Sequence, residues 1–269
     1  MFKPKKSLGQ NFLVDKNIIN KILSINNLKN QTVLEIGPGT GKLTDPIINR
    51  DVKKIILVEK DLFLYNSLKE KYKNFNNVKI YNKDILKYNI DNLKERDLIV
   101  FGNLPYNISS QILVNFIKVK IWPPYFKKII FMFQKEVAER IFAKYNTKEF
   151  SRITVLANYR FEITETFNVS KNCFFPKPKV DSKVIVFEPK DKIIHKISNI
   201  QNLEKITNTF FSNRRKMINK PFSKIFKKYK LVANKLNIDL NLRPAELMNE
   251  DFYRITEYFE NNRKDILRL

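Results

Sequence analysis

Residues 97–107 read Asp-Leu-Ile-Val-Phe-Gly-Asn-Leu-Pro-Tyr-Asn. Leu98 to Phe101 is a short apolar run, the pattern of a parallel strand buried on both faces. Gly102 lets the backbone come close to a neighbour. Pro105 fixes its own φ and keeps Leu104 extended. Asn103 offers an amide that both donates and accepts, and Tyr106 an aromatic face with a polar tip. A rigid turn at a strand's carboxyl end therefore presents an amide, the Leu104 carbonyl and a ring. That set suits a flat base bearing an exocyclic amine. The Asn103 oxygen and the Leu104 carbonyl can accept both amine protons, which pulls the nitrogen lone pair out of conjugation and turns it towards an electrophile. Tyr106 can stack on the ring. Taken alone, the same residues also describe a strand-to-helix turn with Asn as cap and Tyr as packing.

Upstream, three more strands end in chemically useful residues. Thr32 to Ile36 is an apolar strand running into Glu35-Ile36-Gly37-Pro38-Gly39-Thr40-Gly41. This is not a phosphate loop, because the first glycine is too close to Gly41-Lys42 and Leu43 replaces the hydroxyl that would hold magnesium. It also departs from the dinucleotide fingerprint, since Lys42 stands where a third small residue belongs. A Gly-x-Gly-x-Gly turn after an acid suits a ligand without phosphates, such as S-adenosylmethionine, with Glu35 near its cationic end; a tight turn without a ligand is the alternative. Lys54 to Val58 is the next strand and Glu59 closes it, at the distance where an acid reaches ribose hydroxyls. Val78 to Tyr81 is a third strand, and Asp84 after it can accept from an adenine amine. Gly37, Glu59, Asp84 and Asn103 thus fall at the carboxyl ends of four predicted strands, the edge where open α/β sheets bind ligands.

Between these strands the pattern predicts helices. Asp15 caps one running to about Ile25, with Val14, Ile18 and Ile22 as its inner stripe. Asp61 begins another, with Leu62, Tyr65 and Leu68 inward. Ser109 or Ser110 caps the helix after the opening stretch. Lys128 to Phe133 is a fifth strand leading into a helix over about 135–144; residues 151–158 read as helix and 159–169 as extended. The stretch 173–182, Cys-Phe-Phe-Pro-Lys-Pro-Lys-Val-Asp-Ser, is a stiff loop in which Phe174 or Phe175 supplies a second stacking surface or plugs the sheet. Lys183 to Phe187 is the last strand. Beyond 189 the pattern is helical only, over about 203–213, 223–235 and 250–260. The expected division is 1–189 for a catalytic domain and 190–269 for a small helical one.

Composition bounds the function. The 269 residues carry a formal charge of +24, which points to a polyanion, nucleic acid before membrane. Location says more than the total: residues 205–235 hold ten Lys/Arg and no acid, with Arg214-Arg215-Lys216 among them. The amino-terminal arm, with Lys3, Lys5 and Lys6, precedes Gln10, Asn11 and Leu13, which can close over a ligand. One cysteine and one histidine exclude an internal disulfide and make a zinc site implausible, so no metal is expected. Cys173 reads as a small core residue, because methylating an amine needs no thiolate. No apolar run reaches membrane-spanning length and no signal peptide opens the chain, so a cytoplasmic protein is expected.

The chain resembles, essentially end to end, the ribosomal RNA adenine dimethyltransferases of the KsgA type. The residues that carry the resemblance are 9–13 (Gly-Gln-Asn-Phe-Leu), 35–39 (Glu-Ile-Gly-Pro-Gly), 101–109 (Phe-Gly-Asn-Leu-Pro-Tyr-Asn-Ile-Ser), 178–182 (Pro-Lys-Val-Asp-Ser) and 213–216 (Asn-Arg-Arg-Lys). The resemblance implies an α/β fold, a Rossmann-like S-adenosylmethionine-dependent methyltransferase sheet with a small C-terminal all-α domain that binds RNA. It implies dimethylation of two adjacent adenosines near the 3′ end of small-subunit ribosomal RNA, within an immature 30S particle, by a monomer. By the same resemblance Asn11, Leu13, Gly37, Glu59, Asp84 and Asn103 contact the cofactor or the reacting amine, and Asn103, Leu104, Tyr106 and Phe174 carry the chemistry, with the base sandwiched between Tyr106 and Phe174. Rival readings are a methyltransferase acting on large-subunit RNA, one acting on DNA, and a ribosome-assembly factor.

Overall fold

The computed structural model describes residues 9–93 and 95–267; the arm lysines Lys3, Lys5 and Lys6 lie outside them. The central element is a seven-stranded sheet. Its strands are β2 (Thr32–Ile36), β3 (Lys54–Glu59), β4 (Val78–Asn82), β5 (Leu98–Asn103), β6 (Phe126–Gln134), β7 (Phe161–Val169) and β9 (Ser182–Pro189), in the order β4-β3-β2-β5-β6-β9-β7. Strands β4 to β6 are parallel, with Ile36 opposite both Val58 and Gly102 and Glu59 opposite Asn82. The apolar runs of β2, β3 and β5 become strands because both faces are covered, and Val33, Ile55, Ile99 and Phe101 are fully buried, whereas β4 is an edge strand and only partly buried. The order reverses between β2 and β5, so their carboxyl ends diverge and open a crevice there. Strand β9 runs antiparallel to β6, pairing Ser182 with Gln134, and so brings its first residue to that same edge. A separate two-stranded piece pairs β1 (Phe12–Leu13) with β8 (Phe174–Phe175).

Helices α1 (Lys16–Ser24), α2 (Thr44–Ile48), α3 (Leu62–Lys71) and α4 (Ser109–Ile117) follow the strands. Asp15 and Asp61 cap α1 and α3, accepting from the N–H groups of Ile18 and of Phe63 and Leu64. The inner faces differ from those expected. On α1 the buried residues are Ile19, Ile22 and Leu23, while Val14 is exposed; on α3 they are Leu64 and Leu68, while Leu62 is 60 % exposed. Neither Ser109 nor Ser110 caps α4; Ser109 Oγ donates instead to the Tyr106 carbonyl at 3.2 Å.

The chain divides into two compact units, one of residues up to Ala138 with Glu162–Pro189, the other of Glu139–Phe161 with the stretch from Lys190 onward. The expected boundary after 189 is therefore one of three crossings, and residues 139–161 join the helical unit. Helix α5 (Lys135–Ile141) spans the first crossing, and α6 (Arg152–Arg160) packs with α7 (Ile200–Phe211) and α10 (Asn249–Asn261). Aromatic rings make the reason plain. Phe150 lies 6.0 Å from Phe211 and 6.5 Å from Phe252, and the Tyr253 hydroxyl donates to the Val155 carbonyl at 3.0 Å. The helix expected over 223–235 is two, α8 (Asn219–Ile225) and α9 (Tyr229–Lys235), broken at Phe226, whose backbone is extended. His195 is structural, its Nδ1 2.8 Å from Glu257 on α10.

Candidate active site

One cavity collects the sheet edge. It is lined by Asn11 and Leu13 from the amino-terminal segment, Gly37 to Thr40 after β2, Glu59 and Lys60 after β3, Asp84 after β4, and Asn103, Leu104 and Tyr106 at the end of β5. The four strand-end residues named from the sequence, Gly37, Glu59, Asp84 and Asn103, all line it.

The glycine loop is shaped by what presses on it. Gly39 has φ +61°, and a Cβ there would lie 2.6 Å from the Phe12 ring. Any other residue would meet both a backbone penalty and that ring. Glu59 ties the loop to the next helix, Oε2 accepting from the Gly39 N–H at 3.2 Å and Oε1 from the Asp61 N–H at 2.8 Å. A carboxylate has about four lone-pair sites, so both oxygens can still accept from a diol. Burial raises the Glu59 carboxyl above the usual range against these two N–H donors. Burial likewise pushes Glu35 up to about 7, opposed by the Thr44 hydroxyl that donates to it at 2.7 Å. Asp84 goes the other way. Burial would raise it, but the Lys60 ammonium at 2.9 Å and the Leu86 N–H outweigh that, and its carboxyl sits below the usual value.

Asn103 is the last residue of β5, half-buried, and its Nδ2 donates to the Asn11 carbonyl at 2.9 Å. That bond fixes which end of the amide is which and leaves Oδ1 as its acceptor for an incoming amine. What comes close at Gly102 is protein, since a Cβ there would lie 2.6 Å from the Leu104 side chain. The Tyr106 hydroxyl lies 2.6 Å from Ser182 Oγ, and burial of its ring raises the phenol.

The family model described as ribosomal RNA adenine dimethylase matches residues 1–261. Ribosomal RNA small subunit methyltransferase A of Pelagibacter ubique is 43 % identical over 97 % of this chain and 98 % of its own, and its namesake in Mycoplasmopsis synoviae is 42 % identical over 90 % and 92 %. A dimethyladenosine transferase from Plasmodium falciparum has a similar structure, with TM-score 0.76 and 26 % identity over 96 % of this chain and all of that one. The chain belongs to the ribosomal RNA adenine dimethylase family.

Within that family's motifs, one expectation differs from the structure. Phe174, read as the second stacking ring, is 4 % exposed, sits in the core beside Leu13, its partner across β1–β8, and does not line the cavity. Successive strand residues face opposite ways, so Phe175 is the exposed ring, at 64 %. Arg214, one of the ten cations of 205–235, donates to the carbonyls of Lys148 and Phe150. The other nine cations of the basic segment, among them Arg215, Lys216, Lys224, Lys228 and Lys235, are exposed. Two contacts beside the cavity escaped the sequence reading: the Asn11 carbonyl on Asn103 and Ser182 on Tyr106, which reach across 92 and 76 residues of chain. Cys173 is partly buried against the core, and burial raises its thiol. Among the described residues no group of three His, Cys, Asp or Glu is placed to hold a metal, and no helix is long and apolar enough to cross a membrane.

Proposed function

We propose that this adenine dimethylase transfers methyl groups from S-adenosylmethionine to N6 of two adjacent adenosines near the 3′ end of small-subunit ribosomal RNA. It acts in the cytoplasm, as a monomer, on an immature 30S particle. The observation that carries the reading is the Asn103 amide, held by the Asn11 carbonyl so that its oxygen is the acceptor at the mouth of the switch-point crevice.

The residues present fit the cofactor. A loop at Gly37 to Thr40 gives backbone access, buried Glu59 retains acceptor sites for a ribose diol, and Asp84 stands as an anionic acceptor for an adenine amine. Asn11 and Leu13 close the opposite wall. When bound, S-adenosylmethionine supplies an electrophilic methyl on a sulfonium, which leaves as a neutral thioether.

The protein's part is positioning and electrostatics. The target adenine leaves its stack, and Tyr106 takes one face of the ring, worth ~1–3 kcal/mol. Asn103 Oδ1 and the Leu104 carbonyl accept the two N6 protons, so the lone pair projects along the approach to the methyl. One proton leaves N6 to water. In the second transfer, after rotation about the C–N bond, the one proton left on N6 is held by one of the two acceptors, the methyl occupies the other position, and that proton too leaves to water. The helical unit's exposed lysines, Lys224, Lys227, Lys228, Lys230 and Lys235, neutralise RNA phosphates, which makes binding strongly salt-dependent. Replacing Asn103 with Ala tests the core of this reading. Transfer should fall by on the order of 10²-fold or more, with cofactor and RNA binding near wild type. Full activity in that variant would remove the proposed role.

A further inference from the structure

Ser182 closes the 178–182 motif without a role of its own there, yet it holds the one ring of the proposed base slot. It is fully buried, and its hydroxyl lies 2.6 Å from the Tyr106 hydroxyl. We propose that Ser182 is a positioning residue for methyl transfer, fixing where in the slot the Tyr106 ring lies for the target base to stack on it; this rests on the reading of Tyr106 given above.

The topology explains why the hydroxyl comes from there. β5 and β6 run parallel and end at the ligand edge, whereas β9 is antiparallel and begins there, with Ser182 opposite Gln134. The first residue of β9 is therefore anchored in the sheet at the level of the Asn103 turn. The next residue back is held too: the Asp181 carbonyl accepts from the Lys135 N–H at 3.0 Å, and Asp181 Oδ1 from the Lys171 N–H at 2.9 Å. At its other end Tyr106 follows Pro105, whose ring removes one backbone freedom. A tyrosine fixed at both its Cα and its Oη cannot swing about χ1, and rotation about χ2 leaves the hydroxyl on its axis. The ring axis is thus held in one place in the slot, and an incoming base meets the ring there. Pre-setting that geometry removes ordering cost from the flipped state.

A double-mutant cycle with Ser182→Ala and Tyr106→Phe tests this on unmethylated small-subunit particles. Each single change should lower kcat/KM by roughly fivefold, the worth of one neutral hydrogen bond. The double variant should be no worse than either single one. S-Adenosylmethionine affinity should stay at the wild-type value in all three. Losses that multiply, or wild-type transfer by Ser182→Ala, would overturn the proposal. Tyr106→Ala separates it from the underlying reading. Strong loss there with none in Ser182→Ala sinks only the role of Ser182, whereas full activity in Tyr106→Ala sinks the base slot itself.

Discussion

At the scale of single residues, the acids along the sheet edge do different work because their surroundings differ. Glu35 and Glu59 are buried and held above the usual carboxylate range, while Asp84, beside Lys60, is held below it. Glu35 has a consequence for stability. In the folded chain it keeps its proton up to about pH 7, against an ordinary value of 4.5. Between those values the folded state binds more protons than the unfolded one. Its contribution is thus fully present at the acidic end and lost as pH rises through about 7, a change on the order of 3 kcal/mol. Glu35→Gln carries no such titration, so its melting temperature should vary less between about pH 5 and 8 than the wild type's. Equal slopes for the two proteins would contradict the assignment. These environments could not be read from the chain. That an acid ends a strand is visible in sequence; that Lys60 lies against Asp84, or Thr44 against Glu35, depends on the turns that bring them together.

At the scale of elements, the parallel strands were the legible part, since strands covered on both faces must be continuous apolar runs and their ends can be marked to within a residue or two. Helix faces were less legible. In α3 the apolar residues Leu62, Phe63, Leu64 and Leu68 allow more than one stripe, and only packing selects Leu64 and Leu68. The paired phenylalanines of β8 pose the same difficulty, because two adjacent rings in an extended segment must face opposite ways and sequence does not say which turns inward. Register with β1 decides it, placing Phe174 with Leu13 in the core. Phe174→Ala should therefore destabilise the fold by about 3–5 kcal/mol, whereas Phe175→Ala should change stability by no more than roughly 0.5 kcal/mol. Chemical denaturation of both variants measures this. Comparable losses, or a larger one at Phe175, would mean that β8 is turned the other way.

At the scale of the molecule, the sequence separates a strand-bearing portion from a helical one, and the charge of 205–235 marks the latter as the face for a polyanion. What it hides is that 139–161 belongs with the helical unit, because the Phe150–Phe252 ring contact and the Tyr253 hydroxyl on the Val155 carbonyl join residues about a hundred positions apart. It also hides that Arg214 serves its own unit's backbone. The central claim joins both units in one reaction on one RNA. Methyl transfer from labelled S-adenosylmethionine, offered to unmethylated small-subunit particles, naked small-subunit RNA, large-subunit RNA and duplex DNA, tests it most directly. Nucleoside mass spectrometry should find N6,N6-dimethyladenosine in the small-subunit particle alone. Label in large-subunit RNA or DNA would contradict the assigned substrate, and no label anywhere, with tight binding to the particle, would contradict the assigned chemistry.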